Sequence, residues 1–321
     1  MIKLQPAAAA AGSRRQMRQG AAPPPADFWA GHATWRPFYN MVRVWKAYDV
    51  PWAASGPVTA PSCPGLSGYS KDDWYTTDRF LILETTNGVY NKSLYDVLQP
   101  ECALMWQRVQ VANMGARSGQ EWTSLFAEQN SGTYNNQWMV LDVHALMAGE
   151  RTGVLWVLEQ LPGTVEVADL SDVLLGQGFW PSFNVPYFPR IYRLAGYPAD
   201  KDIHGTCPRA KLFAREQSKI ANLRDFMSLM RLNRYQSDPL SLGSPANAIA
   251  ARYDLEPVPG SAAAGAGNWT CKPTGAVDAK VVDLHAFLDA ATYAVNGPTG
   301  SASAHRPFIR YCCDVVFLGY R

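Results

Sequence analysis

Asn130-Ser-Gly-Thr-Tyr-Asn-Asn-Gln-Trp-Met-Val-Leu-Asp142 carries amides and hydroxyls straight into an apolar run. Amide side chains offer donors and acceptors without charge, so this density suggests a pre-organised polar surface. The plainer reading is a turn rich in Asn and Gly that stops a helix and starts a strand. Both readings place a strand at 138–143. Further runs at 154–159 and 164–168, separated by Gly and Pro, continue it as a meander of strands. Upstream, Phe80–Thr86 is a short apolar run ending in hydroxyls, a buried strand.

Around these strands the pattern is helical. Cys102, Met105, Trp106 and Val109 recur at i, i+3, i+4 and i+7, one face of a helix beginning after Pro100. Trp122, Leu125 and Phe126 mark a shorter helix that stops at Asn130-Ser-Gly132. Residues 171–177 suit a short helix capped by Ser171, with Asp172 in its first turn. A long helix is predicted over roughly 214–234, with Leu223, Phe226, Met227 and Met230 on one face. A Gly-, Ala- and Pro-rich loop follows at 256–276, then apolar sequence over 281–295. Helices and strands come in blocks, which favours an α+β fold over a doubly wound sheet. No internal repeat is evident.

Composition narrows the function classes. The 321 residues allow one large domain or two ordinary ones, and 47% hydrophobic against 17% charged residues supplies a sizeable core. The net charge of +2 comes without a basic stripe or acidic tail, so nucleic acid is not an expected partner. The 11 Trp and 15 Tyr suit core anchors, and would also suit a carbohydrate or lipid cleft. The six cysteines, Cys63, Cys102, Cys207, Cys271, Cys312 and Cys313, form no C-x-x-C pair, and both disulfides and buried thiols stay open. The five histidines are isolated in sequence, so no metal site and no cofactor is expected. Asn91-Lys-Ser93 and Asn268-Trp-Thr270 are sequons, glycosylation candidates at Asn91 and Asn268 in a secreted setting. No stretch has the length of a membrane span. Residues 1–26, rich in Ala, Pro and Arg, carry no signal-peptide core and read as disordered low-complexity sequence.

Several long strings occur in one order: AGHATW at 30–35, DDWY at 72–75, LETT at 83–86, NSGTYNNQWMVLD at 130–142, VLEQLPG at 157–163, WPSFNVPYF at 180–188, PRAKLFAREQ at 208–217 and MRLNRYQSDPLS at 230–241. This series resembles the phospholipase B-like family, lysosomal proteins related to the laminin ancestor protein, over about residues 28–300. It corresponds to the larger, C-terminal processed fragment of such proteins. The resemblance implies one hydrolase domain over 27–321. Its expected fold is the N-terminal nucleophile hydrolase architecture, a four-layer αββα sandwich of antiparallel sheets. It implies lipid or a small acylated molecule as substrate, a lysosomal or secreted setting, and a smaller N-terminal fragment packed on this chain.

In that chemistry a new N-terminal Cys, Ser or Thr attacks a carbonyl while its α-amino group acts as base. Uncharged amides stabilise the oxyanion, and a guanidinium holds substrate or the nucleophile's surroundings. The resemblance carries a pocket His and Trp onto His32 and Trp35, a site hydroxyl onto Thr86, the oxyanion amide onto Asn184 and the site arginine onto Arg209. These five are expected to converge on one cleft, with Asn135 and Asn136 framing it. No cysteine precedes Cys63, and Ser13 is the nearest upstream hydroxyl, in the stretch 12–26 taken to correspond to the nucleophile segment. The family pattern therefore looks incomplete at both ends, and little hydrolysis is expected of the chain as written. Three functions follow: a hydrolase of lipid acyl esters or amides, a degenerate non-catalytic paralogue that binds lipid or a protein, and an amidase on small N-acyl substrates.

Overall fold

Phe80–Thr86 is a strand, and it forms because both its faces are covered: Phe80, Leu81, Ile82 and Leu83 are all fully buried. The computed structural model describes residues 1–6, 24–65, 74–257 and 271–299, with backbone also at Ile309–Tyr311 and Phe317–Leu318. Ser13, Asp72, Asn268, Cys312 and Cys313 lie outside the described residues. Two compact units are present: residues 1–28 with 45–204, and residues 29–44 with 205–321. All named strand pairs are antiparallel and alternate with blocks of helix, so the fold is α+β.

In the first unit Thr164–Asp169, Leu155–Leu161, Asn136–Asp142, Phe80–Thr86, Trp74–Thr76 and Val58–Ser62 lie side by side in that order. The register pairs Thr86 with Asn136 and Gln137 with Glu159, so the polar strand ends collect at one end of the sheet. Ile82, Trp138, Val140 and Leu158 lie on the sheet face covered by the helices Met105–Gly115 and Gly119–Ala127. Trp122 stacks on Phe126 at 5.0 Å, and both rings meet Trp138. Of the four residues spaced for the first helix, Met105 and Val109 face this core. Trp106 is exposed, and Cys102 precedes the helix, because the Gln107 side chain accepts from the Leu104 N–H and starts the helix there.

Ile2–Gln5 corrects the expectation of a disordered 1–26. It is a strand paired with Phe179–Trp180, and Ala26 N–H donates to the Gln5 carbonyl. Its Met1, Ile2 and Leu4 side chains are buried, so this short segment has the apolar face that the Ala- and Pro-rich remainder of 1–26 lacks. The helix Ser171–Gln177 starts from Leu170 rather than a Ser171 cap; the Ser171 hydroxyl accepts from Val154 and Leu155 N–H instead.

In the second unit Asp278–Asp283 lies between the strand reaching His32 and Thr292–Asn296. The helix Leu223–Met230 packs on this sheet, with Trp29 and Phe226 rings 6.2 Å apart. A Cβ at Gly31 would sit 2.6 Å from Met230 Cγ, so glycine is what lets this helix approach. The long helix predicted over 214–234 is two helices, Pro208–Glu216 and Leu223–Met230. Asn222 breaks it: its side chain accepts from Asp225 N–H at 3.0 Å while Asp225 accepts from Ala221 N–H at 3.0 Å. This reciprocal cap begins a new helix more favourably than it continues an old one. The four described cysteines are free thiols.

Candidate active site

The stretch 130–142 holds its own loop together. Asn130 Oδ1 accepts from Arg108 at 2.9 Å and from Gly132 N–H at 3.1 Å, and its amide donates to the Leu161 carbonyl at 2.8 Å. Asn135 donates to the Gly132 carbonyl, and Gln160 donates to the Tyr134 carbonyl at 2.7 Å. Arg108 is buried under this loop, stacked 4.2 Å from the Phe126 ring centre, and burial lowers its pKa to about 10.

That anchoring leaves Tyr134 aimed at the strand end. Thr86 Oγ1 donates to the Tyr134 hydroxyl at 2.9 Å, and the hydroxyl donates to Glu84 at 3.2 Å. Turned to satisfy both partners, the Asn136 amide donates to Glu84 at 3.1 Å and to the Asn135 carbonyl at 3.0 Å. Asn184 meets the same strand end: its amide donates to the Thr86 carbonyl at 2.7 Å, and Tyr197 donates to the Asn184 carbonyl at 3.2 Å. Asn184 has φ +66°, in the left-handed region that Asn tolerates better than most residues.

Below this, on the opposite sheet face, Glu159 is fully buried. It accepts from Gln137 at 2.7 Å, from Tyr187 N–H at 2.7 Å and from Phe188 N–H at 3.0 Å. Burial pushes its pKa up to about 7, against the lowering effect of the Tyr187, Gln137 and Phe188 bonds and the nearby Asn87 amide. The His204 ring meets Phe183 at 4.9 Å, tilted by 44°, and burial lowers its pKa.

The second unit holds His32, Trp35 and Arg209. The Arg209 guanidinium lies 4.5 Å from the Trp35 ring centre, and Trp35 donates through Nε1 to the Ile249 carbonyl at 3.2 Å. Tyr253 meets the Trp35 ring edge-on at 6.0 Å. Pro208 at the first helical position directs Arg209 into the first turn of its helix. His32 pairs across the sheet with Lys280. Buried Lys280 donates to Thr34 at 2.5 Å and to Asp278 at 2.6 Å, and buried Arg43 donates to Asp278 at 3.2 Å. Burial alone would raise the Asp278 pKa; Lys280 and Arg43 overrule it and hold the carboxyl at about 2.

The five residues singled out from sequence thus fall into two groups, Thr86 with Asn184 and Trp35 with Arg209 near His32's strand. Glu84, Tyr134, Glu159, Asp278 and Lys280 were not singled out. The signal for four of them was a charge inside an apolar strand, since a buried charge requires dedicated partners. No group of metal-ligating side chains occurs among the described residues, and no described helix is long and apolar enough to cross a membrane.

Known proteins resemble this chain over most of its length. The phospholipase B family model matches residues 22–314. The chain is 37% identical over 303 residues to phospholipase B-like protein G of Dictyostelium discoideum, covering 88% of the chain and 50% of that protein. It is 37% identical over 281 residues to human phospholipase B-like 1, covering 84% and 48%, and 37% identical over 285 residues to phospholipase B of Crotalus adamanteus, covering 85% and 49%. The chain spans about half the length of these curated relatives. With the family matched across both units and every site string described above, the chain belongs to the phospholipase B family.

Proposed function

We propose that this protein is a phospholipase B-like hydrolase that cleaves acyl ester or amide bonds of lipids by N-terminal nucleophile chemistry. Its fold is then the αββα sandwich of that class, and its setting is lysosomal or secreted, with exposed Asn91 glycosylated. The observation that carries the reading is Asn184: an uncharged amide held in a left-handed backbone and pinned to Thr86. Such a donor is fixed before reaction and needs no reorganisation as charge develops on a carbonyl oxygen. Arg209, over the Trp35 ring, supplies the planar cation that orients substrate or nucleophile, and Thr86 supplies the hydroxyl. His32 contributes a pocket imidazole beside the Lys280–Asp278 pair.

The test is release of fatty acid from lysophospholipid and from an N-acyl amine, using the 321-residue chain beside a version carrying the family's upstream cysteine segment. Turnover by the extended version, abolished by replacing its cysteine, is the expected result. A folded extended version that binds lipid vesicles but cleaves neither substrate would establish the non-catalytic reading instead.

A further inference from the structure

We propose that Glu159 is a positioning residue, whose carboxylate clamps the backbone of Tyr187 and Phe188 and so fixes the loop that presents Asn184. The inference deepens the hydrolase reading and rests on it for its catalytic consequence. Its structural half stands alone.

The segment Ser182-Phe-Asn-Val-Pro-Tyr-Phe-Pro189 has little to order its backbone by itself. Pro186 and Pro189 have no N–H to donate, and no named strand or helix lies between Trp180 and Pro189. Its N–H groups at Tyr187 and Phe188 are both taken by Glu159, one on each carboxylate oxygen. Gln137, the cross-strand partner of Glu159, donates to the same oxygen as Tyr187 and fixes the carboxylate plane. At the other end, Asn184 is held by Thr86 and Tyr197, and Ser182 shares a hydrogen bond with Thr85. The clamp and the Asn184 contact therefore lie on two strands of one sheet, Leu155–Leu161 and Phe80–Thr86, with Asn136–Asp142 between them; Glu159, Thr85 and Thr86 hold the loop and Gln137 braces Glu159.

The choice of a carboxylate is informative. Among the described residues no Lys, Arg or His forms an ion pair with Glu159. Ionisable groups around it are Glu166, its cross-strand partner, Tyr187 and Tyr197, with the Asn87 amide beside it. A buried acid without a cation is costly, so a role confined to packing would be served better by an apolar side chain. Three donors converge here, two backbone N–H groups and the Gln137 amide, and a carboxylate accepts all of them on two oxygens, whereas glutamine would set its own NH₂ against one of them.

Glu159→Gln keeps the size but presents an amino group to one of the two N–H donors. Hydrogen exchange across 184–188 should quicken about 10-fold or more, the value of one lost charge-assisted bond, while strands 136–142 and 155–161 keep their protection. In the cysteine-extended protein kcat should fall about 10-fold with KM nearly unchanged, and adding Asn184→Ala should cost much less than it does alone. Gln137→Met, which leaves both N–H bonds but frees the carboxylate plane, should shift the same peptide in the same direction by less. Unchanged exchange across 184–188 in both variants would refute the clamp. Faster exchange with unaltered kcat, where Asn184→Ala does lower kcat, would refute the positioning role. Should the extended parent cleave no acyl substrate, the functional reading fails, and exchange together with the Asn184 side-chain amide resonances still decides the clamp.

Discussion

Asn184 and Thr86, 98 positions apart, are joined by a 2.7 Å hydrogen bond from a side-chain amide to a backbone carbonyl. The bond uses the last residue of a buried strand to hold an amide whose own backbone is left-handed. It engages one of the two amide N–H donors of Asn184 and fixes the plane of the group.

Asn184→Ala should therefore act on both rate and stability. In the cysteine-extended protein the loss of an oxyanion donor is expected to lower kcat about 10²–10³-fold with a small change in KM. Unfolding should occur about 1–2 kcal/mol earlier, since alanine in a left-handed backbone is strained and the Thr86 carbonyl loses its donor. Asn184→Gly should recover the backbone part of that stability and none of the rate. Steady-state kinetics beside denaturant unfolding separates the two effects.

Arg209 and Trp35 should respond to shape as well as charge. Arg209→Lys keeps the cation but loses the planar face against the indole. A stability loss of about 0.5–2 kcal/mol and a higher KM are expected, with Arg209→Ala worse on both counts. Equal behaviour of the lysine variant and the parent would count against a role for the guanidinium's contact with the Trp35 ring at 4.5 Å.

Glu159 sets the sign of a pH dependence. Its folded pKa of about 7 lies above the ordinary 4.5, so the native state binds the proton more tightly than the unfolded chain. Its favourable contribution is complete below pH 4.5 and is lost as pH rises through about 7. A stability gain of the order of 3 kcal/mol on acidification across this window is expected, and Glu159→Gln should flatten it. Thermal unfolding of parent and variant from pH 7.5 down to 4.5, values spanning about that window, measures the difference.

Asp278 forms ion pairs with two buried cations, Lys280 and Arg43. Asp278→Asn should destabilise the protein by about 3–5 kcal/mol, because both cations stay buried without their counter-charge. Lys280→Met alone should cost less, since the Arg43–Asp278 pair survives it. Asp278 also holds acid-sensitive stability of the opposite sign to Glu159: with a pKa depressed to about 2, its contribution is present above the usual pKa of 3.8 and lost as pH falls through about 2. Denaturant unfolding of the single and double variants gives the coupling between the two residues.

What the sequence determined by itself was the identity of the local elements and of the family. The strands Phe80–Thr86, Asn136–Asp142, Leu155–Leu161 and Thr164–Asp169 were legible as short apolar runs between Gly and Pro punctuation, and the helix Gly119–Ala127 from the spacing of its buried Trp122 and Phe126. The ordered strings marked Thr86, Asn184, Trp35 and Arg209, and two contacts join them in pairs, the Asn184 amide on the Thr86 carbonyl and the Arg209 guanidinium over the Trp35 ring. Tertiary structure decided the rest. Ile2–Gln5 became a strand because a partner at Phe179–Trp180 exists, which four residues cannot announce. Asn222 split a helix that periodicity alone would continue, because a local side-chain cap outweighs an apolar stripe. Glu159 and Lys280 gained their roles only when strands distant in sequence came into register and left each charge buried, where its partners, not its neighbours in the chain, set its chemistry.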